Sequence, residues 1–277
     1  MNLEQKIALT VLLTGSAIAW LGSKSMRQRS APPPPLKVSW LDYLIFLWVF
    51  LMLFVGVQTL MQFMLAGEGS GEAATFSSEE WTLVLSSLSL QIPMLGVMLV
   101  AYSAHKLPFF HADVNSTATV ILREALFGVR AFIMCLPIIW VIASVWNVIL
   151  EATYKLYTNE ELESQAIVTT VSGSQDLVPI VILTLLGIIM APIAEELFFR
   201  GSIYRFLRDT SGKAKGAAIS ALIFAIMHAN MKAMIPLFVV GICLAWVYER
   251  RGNIWAPIAF HMAFNTQSFI FIYLQRI

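Results

Sequence analysis

The sequence predicts an all-α protein, a polytopic bundle of about eight transmembrane helices, and three observations carry that expectation. First, 58% of the 277 residues are hydrophobic and only 13% charged, with a mean hydropathy of +0.75. A soluble domain of this length has little reason to carry such a balance. Second, the apolar residues gather in runs long enough to cross a hydrocarbon core, which takes about 20 residues per helix. Third, the segments between runs alternate between basic and acidic, as the positive-inside bias requires. A formal net charge of +1 supplies no basic field for nucleic acid, so that class of partner is excluded.

The first run, residues 7–22, reads as a retained anchor. Only Lys6 against Glu4 precedes it and the positive charge follows it, the reverse of a signal peptide. Four consecutive prolines, Pro32 to Pro35, then end any helix and favour an extended polyproline II linker. Residues 1–39 are thus an anchor helix and a proline-rich linker. Runs two to four, residues 41–66, 81–103 and 120–150, fill a second part, 40–176, to which no chemistry is assigned. The third part, 177–277, holds runs at 177–199, 216–231, 233–248 and 254–274. The sixth and seventh are short and nearly continuous, so they form either two spans or one bent unit. Lys24, Arg27, Arg29 and Lys37 follow run one, and Arg205, Arg208, Lys213 and Lys215 follow run five; Glu68, Glu72, Glu79 and Glu80, and later Glu160, Glu161 and Glu163, lie in alternate loops. This pattern puts both termini outside and the basic loops in the cytosol. Cys135 and Cys243 lie inside apolar runs, where a thiol behaves as a small hydrophobe.

An ionisable side chain at the centre of a membrane helix costs about 2.5 kcal/mol or more, so each marks a candidate site. Three clusters stand out. In Glu195-Glu196-Leu197-Phe198-Phe199-Arg200, Glu196 and Arg200 stand at i and i+4 and can pair, while Glu195 is turned about 100° away. In Phe224-Ala225-Ile226-Met227-His228 an apolar run presents one imidazole, with Phe224 one turn earlier on the same face. In the last run His261 and Asn265, again four apart, project from one face. Taken singly, these clusters read equally as an interfacial salt bridge, a packing histidine and interhelical glue. Together they supply a base, proton shuttles and oxyanion donors, the parts of a hydrolytic site.

At these residues the sequence resembles the CPBP family, the CAAX prenyl protease and bacteriocin-processing group also called Abi. Its motifs read Glu-Glu-x-x-x-Arg, Phe-x-x-x-His and His-x-x-x-Asn or Asp, and all three occur here in that order. The resemblance implies an intramembrane endopeptidase in which Glu195 and His228 activate water and His261 and Asn265 hold the oxyanion. Glu196, Arg200 and Phe224 then look structural. The family is commonly named as metalloproteases, and Glu195, His228 and His261 could supply a two-His, one-carboxylate zinc site; a reaction with no required cofactor is the preferred reading. No His-Glu-x-x-His, Gly-x-Gly-Asp or Gly-x-Ser-Gly motif of other intramembrane proteases is present.

Bringing Glu195 level with His228 requires that run five continue inward past Arg200 toward Arg208, or that run six be tilted and begin deep. Either way the four residues are expected in one cavity open to the cytosol, in a multi-pass protein of the plasma membrane. The expected partners are membrane lipids and a membrane-associated or lipidated peptide. The alternative function is a non-proteolytic membrane partner or bacteriocin-immunity protein on the same fold; a transporter is disfavoured by the lack of an internal repeat.

Overall fold

In the computed structural model the residues described are 30–67, 79–103, 116–158 and 176–274, together with residues 15, 170 and 173. Run one and most of the acidic segments lie outside them. Among the described residues all regular structure is helical. The helices are α1 (Trp40–Gly67), α2 (Glu79–Ser103), α3 (Ala118–Thr158), α4 (Leu177–Leu185), α5 (Ala191–Phe198), α6 (Arg205–Ser211), α7 (Lys213–Met227), α8 (Met231–Arg251) and α9 (Trp255–Leu274). Two π-helical turns, Leu186–Met190 and Phe199–Tyr204, join α4, α5 and α6 into one continuous helix.

Among the described residues, five helices are long and apolar enough to cross a membrane: α1, α2, α3, the composite Leu177–Ser211, and α8. The chain is an integral membrane protein. Run five does continue past Arg200 to Arg208, the first of the two arrangements foreseen. Runs six and seven are two helices, not one bent unit. α7 has only 15 residues and stops at Met227. α9 has 20 residues, but His261, Asn265, Thr266, Gln267 and Ser268 dilute its apolar character.

Local chemistry places the helix ends. Ser39 Oγ accepts from the Asp42 N–H at the start of α1, and Asp176 accepts from Val178 N–H at the start of α4. Asn230 caps α8 by accepting from Ala233 N–H. At the other end of α8, Gly252 adopts φ +62°, the left-handed conformation that ends helices most easily without a Cβ.

The chain divides into two compact units. In one, residues 30–35 join α3, residues 203–227, α8 and residues 255–263. Its core includes Phe132 edge-on to Phe260 and Tyr204 edge-on to Tyr248. Arg251 donates twice to the buried Glu124 carboxylate, at 2.6 and 2.7 Å, which joins the end of α8 to the beginning of α3. The proline segment is held as a strap. Arg205 donates through Nε and Nη2 to Pro34 O at 3.0 and 2.8 Å, and Arg208 donates to Pro33 O and Pro34 O at 2.8 and 3.2 Å. Ser30 N–H donates to Arg250 O, and Gly252 packs directly on the Ala31 carbonyl. Arg208 also pairs with Asp209 and Glu249.

The other unit comprises α1, α2, the composite helix from α4 to Ser202, and α9 from Phe264 onward. Phe198 of α5 packs on Phe46 and Phe50 of α1. Tyr43 OH and Ser202 Oγ share a buried hydrogen bond of 3.1 Å. Val84, Ile180 and Leu183 form a small core against Ile272 and Tyr273 of α9. α1 leaves large apolar side chains such as Trp48 and Phe63 exposed, the surface a helix presents to lipid tails.

Candidate active site

The candidate residues fall into two groups, one in each unit. The first begins with Pro192. A proline inside a helix has no N–H to donate and crowds the carbonyl four residues before it. Immediately upstream the backbone takes one π-helical turn, in which Ala191 N–H reaches back to Leu186 O. The following eight-residue helix α5 carries Glu195 and Glu196, and a second π turn carries Arg200.

Arg200 Nη1 donates to Glu196 Oε1 at 3.0 Å, and both side chains are fully buried. This is the i,i+4 pair expected from the sequence. In a low-dielectric interior a guanidinium and a carboxylate each need the other, because either alone would be a buried charge. Arg200 also lies over the Phe199 ring at 5.9 Å. Glu195 is 9% exposed. Asn265, half-buried on α9, donates from Nδ2 to Gly187 O at 2.7 Å. That contact ties α9 to the π turn before the two glutamates, and nothing in the local sequence announces it.

The second group surrounds Phe224. α7 ends at Met227, and His228 turns out of the helix with φ −77° and ψ −8°. Ala229 follows in the left-handed region at φ +46°, unusual for a residue with a Cβ. The turn closes at Asn230, and Trp146 of α3 braces it by donating from Nε1 to Met231 O at 2.8 Å. His228 Nδ1 lies 2.7 Å from Phe224 O. A carbonyl oxygen only accepts, so Nδ1 carries the hydrogen, and in the neutral ring Nε2 is the basic nitrogen. The fully buried Phe224 ring stands 4.6 Å from the His228 ring and 5.7 Å, edge-on, from that of the buried His261. The Phe224 ring thus contacts both imidazoles, while His228 itself remains exposed.

A catalytic zinc takes three protein donors, and one carboxylate with two imidazoles is such a set. Within either unit, among the described residues, no three His, Cys, Asp or Glu side chains are placed to hold a metal ion. The two imidazoles beside Phe224 are fewer donors than a catalytic zinc takes. Sequence reasoning missed Gly187, Pro192 and Trp146. Of these Pro192 carried a readable signal, a helix-breaking residue three positions before two adjacent carboxylates inside an apolar run.

The chain is similar to known proteins over part of its length. It is 33% identical over 107 residues to the "Putative membrane peptidase YdiL" of Bacillus subtilis (strain 168), covering 39% of this chain and 41% of that protein. It is 35% identical over 100 residues to the "Uncharacterized 24.3 kDa protein" of Escherichia coli, covering 34% and 46% respectively. It is 29% identical over 120 residues to the "UPF0177 protein YxdF" of Lactococcus lactis subsp. lactis (strain IL1403), covering 41% and 66%. The chain thus spans less than half the length of the first two relatives it matches. No solved structure matches. Residues 177–267 match the profile described as "Type II CAAX prenyl endopeptidase Rce1-like". That matched segment carries Glu195, His228, His261 and Asn265, so the similarity to the Rce1-like profile falls on the candidate site.

Proposed function

We propose that the protein is an intramembrane endopeptidase that hydrolyses a membrane-associated or lipidated peptide, with water activated by Glu195 and His228. The observation that carries this reading is the buried Glu196–Arg200 pair. With Glu196 held in that pair, the proposal gives the chemistry to the adjacent carboxylate, Glu195. The Rce1-like match over residues 177–267 supports the same reading.

Glu195, aided by the basic Nε2 of His228, takes a proton from water as its oxygen adds to the scissile carbonyl. The carbonyl oxygen becomes an oxyanion, held by donors from His261 and from the Asn265 carboxamide. Collapse of the tetrahedral intermediate breaks the C–N bond, and the proton held by the glutamate passes to the leaving amine. Phe224 keeps both imidazoles in place without touching the substrate. The reaction proceeds in a cavity open to the cytosol, in the plasma membrane, so that a lipid-anchored chain can present its peptide from the bilayer.

The test is cleavage of a panel of quenched peptides, lipidated and unlipidated, by purified protein in detergent. Glu195→Gln is expected to lower kcat by about 10²- to 10⁴-fold, the span usual for loss of a general base. Wild-type activity in Glu195→Gln would sink the proposal. Activity that survives a chelator supports the metal-free reaction. Loss on chelation with recovery on added zinc would instead make Glu195, His228 and His261 ligands.

A further inference from the structure

We infer that Asn265 and Gly187 form a positioning device that fixes the rotational phase of the glutamate-bearing helix, a role separate from any contact with substrate. In a regular α-helix the Gly187 carbonyl would accept from Ala191 N–H. Here Ala191 N–H goes to Leu186 O instead. The next candidate, five residues on, is Pro192, which has no N–H. The Gly187 carbonyl thereby loses both of its intrahelical donors, and a carbonyl so deprived inside a membrane protein is costly. Asn265 Nδ2 supplies the replacement at 2.7 Å.

The rest of α9 holds the same line. Asn265, Phe269 and Tyr273 stand at i, i+4 and i+8, one stripe of the helix. The Phe269 ring lies so close to Gly187 that a Cβ there would stand 2.6 Å from Cε2 and 2.9 Å from Cζ. Tyr273 OH shares a 2.6 Å hydrogen bond with Thr184 Oγ1, one turn earlier on α4. The stripe therefore grips the helix on both sides of the point where it leaves α geometry.

The consequence for chemistry follows from helix arithmetic. A single π turn absorbs one extra residue, so its loss would rotate everything downstream by about 100° relative to α4. Ala194 would then occupy the place of Glu195, and Leu197 that of Phe198. The Asn265 amide has two hydrogens, and this device uses one of them.

The phase can be read without any substrate, because Phe198 packs against Phe50 with ring centroids 4.5 Å apart. With Cys135 and Cys243 replaced by alanine, the pair Phe50→Cys and Phe198→Cys is treated with a short methanethiosulfonate cross-linker and compared with Phe50→Cys and Leu197→Cys. The 50–198 pair is expected to cross-link efficiently in the otherwise native protein. Adding Gly187→Ala, which drives the Phe269 ring away, or Asn265→Asp, which removes the donor, is expected to move the cross-link to the 50–197 pair. Adding Phe269→Leu to Gly187→Ala removes the colliding ring atoms and is expected to return it to 198. Retention of the 198 cross-link in both single variants would overturn the inference. Should Gly187→Ala fail to fold, Asn265→Asp alone decides.

The kinetic arm rests on the proposed peptidase reading. Gly187→Ala is expected to lower kcat about 100-fold with KM unchanged, a cost typical of a misplaced reacting group, and Phe269→Leu is expected to restore most of it. Wild-type cleavage by Glu195→Gln would fault the peptidase reading, whereas an immobile cross-link would fault the positioning device alone.

Discussion

At the scale of single residues, the adjacent glutamates are expected to respond oppositely to the same substitution. Glu196→Gln leaves the Arg200 guanidinium buried without its carboxylate, at a cost of about 3–5 kcal/mol. Glu195→Gln leaves the Glu196–Arg200 pair in place and is expected instead to lower kcat on the peptide panel. His261→Ala is expected to reduce kcat by about 10²- to 10³-fold, the usual cost of a missing oxyanion donor, with the peptide panel as the readout. The local pairings were legible in the sequence. Four-residue spacing on a helix predicts both the Glu196–Arg200 ion pair and the Phe224–His228 contact, and both are present. The Asn265 contact was not legible, because its acceptor lies 78 residues away. It exists only because Pro192 and a π turn together strip Gly187 O of its donors.

At the scale of elements, the composite helix and the proline strap differ from their sequence readings in instructive ways. Hydropathy finds residues 177–199 of the composite helix as one apolar run, since apolar residues score alike in α and π geometry. It is blind to the π turns, which depend on backbone hydrogen bonding. The strap reads as a stiff linker, because four prolines fix an extended backbone without naming what lies beside it. In the structure its carbonyls are the acceptors for two buried arginines. Charge-assisted hydrogen bonds of this kind contribute about 1.5–3 kcal/mol each. Arg205→Met combined with Arg208→Met is therefore expected to loosen residues 30–36, seen as faster tryptic cleavage after the exposed Lys37. Gly252→Ala is expected to destabilise from the same place, since a Cβ would both oppose φ +62° and meet the Ala31 carbonyl.

At the scale of the whole molecule, composition and run length were enough to establish an all-helical membrane protein. They could not fix how many runs would be full spans. α7 ends where His228 turns out of the helix, and α9 gives up apolar character to side chains that include His261 and Asn265. In these two helices polar candidate residues dilute the apolar run, whereas the composite helix carries Glu195 and is still recognised as a span. The protein is expected to stay in the membrane pellet after alkaline carbonate extraction. In a variant retaining only Trp48, brominated lipids are expected to quench fluorescence, because that side chain is 61% exposed on α1. The strap also has a consequence for biosynthesis. Its prolines leave the ribosome before their partner, because Arg205 lies 171 residues further along the chain than Pro34. The segment must therefore wait undocked through insertion of α1 to α5, and the long-range closure that completes its unit belongs to a late stage of assembly.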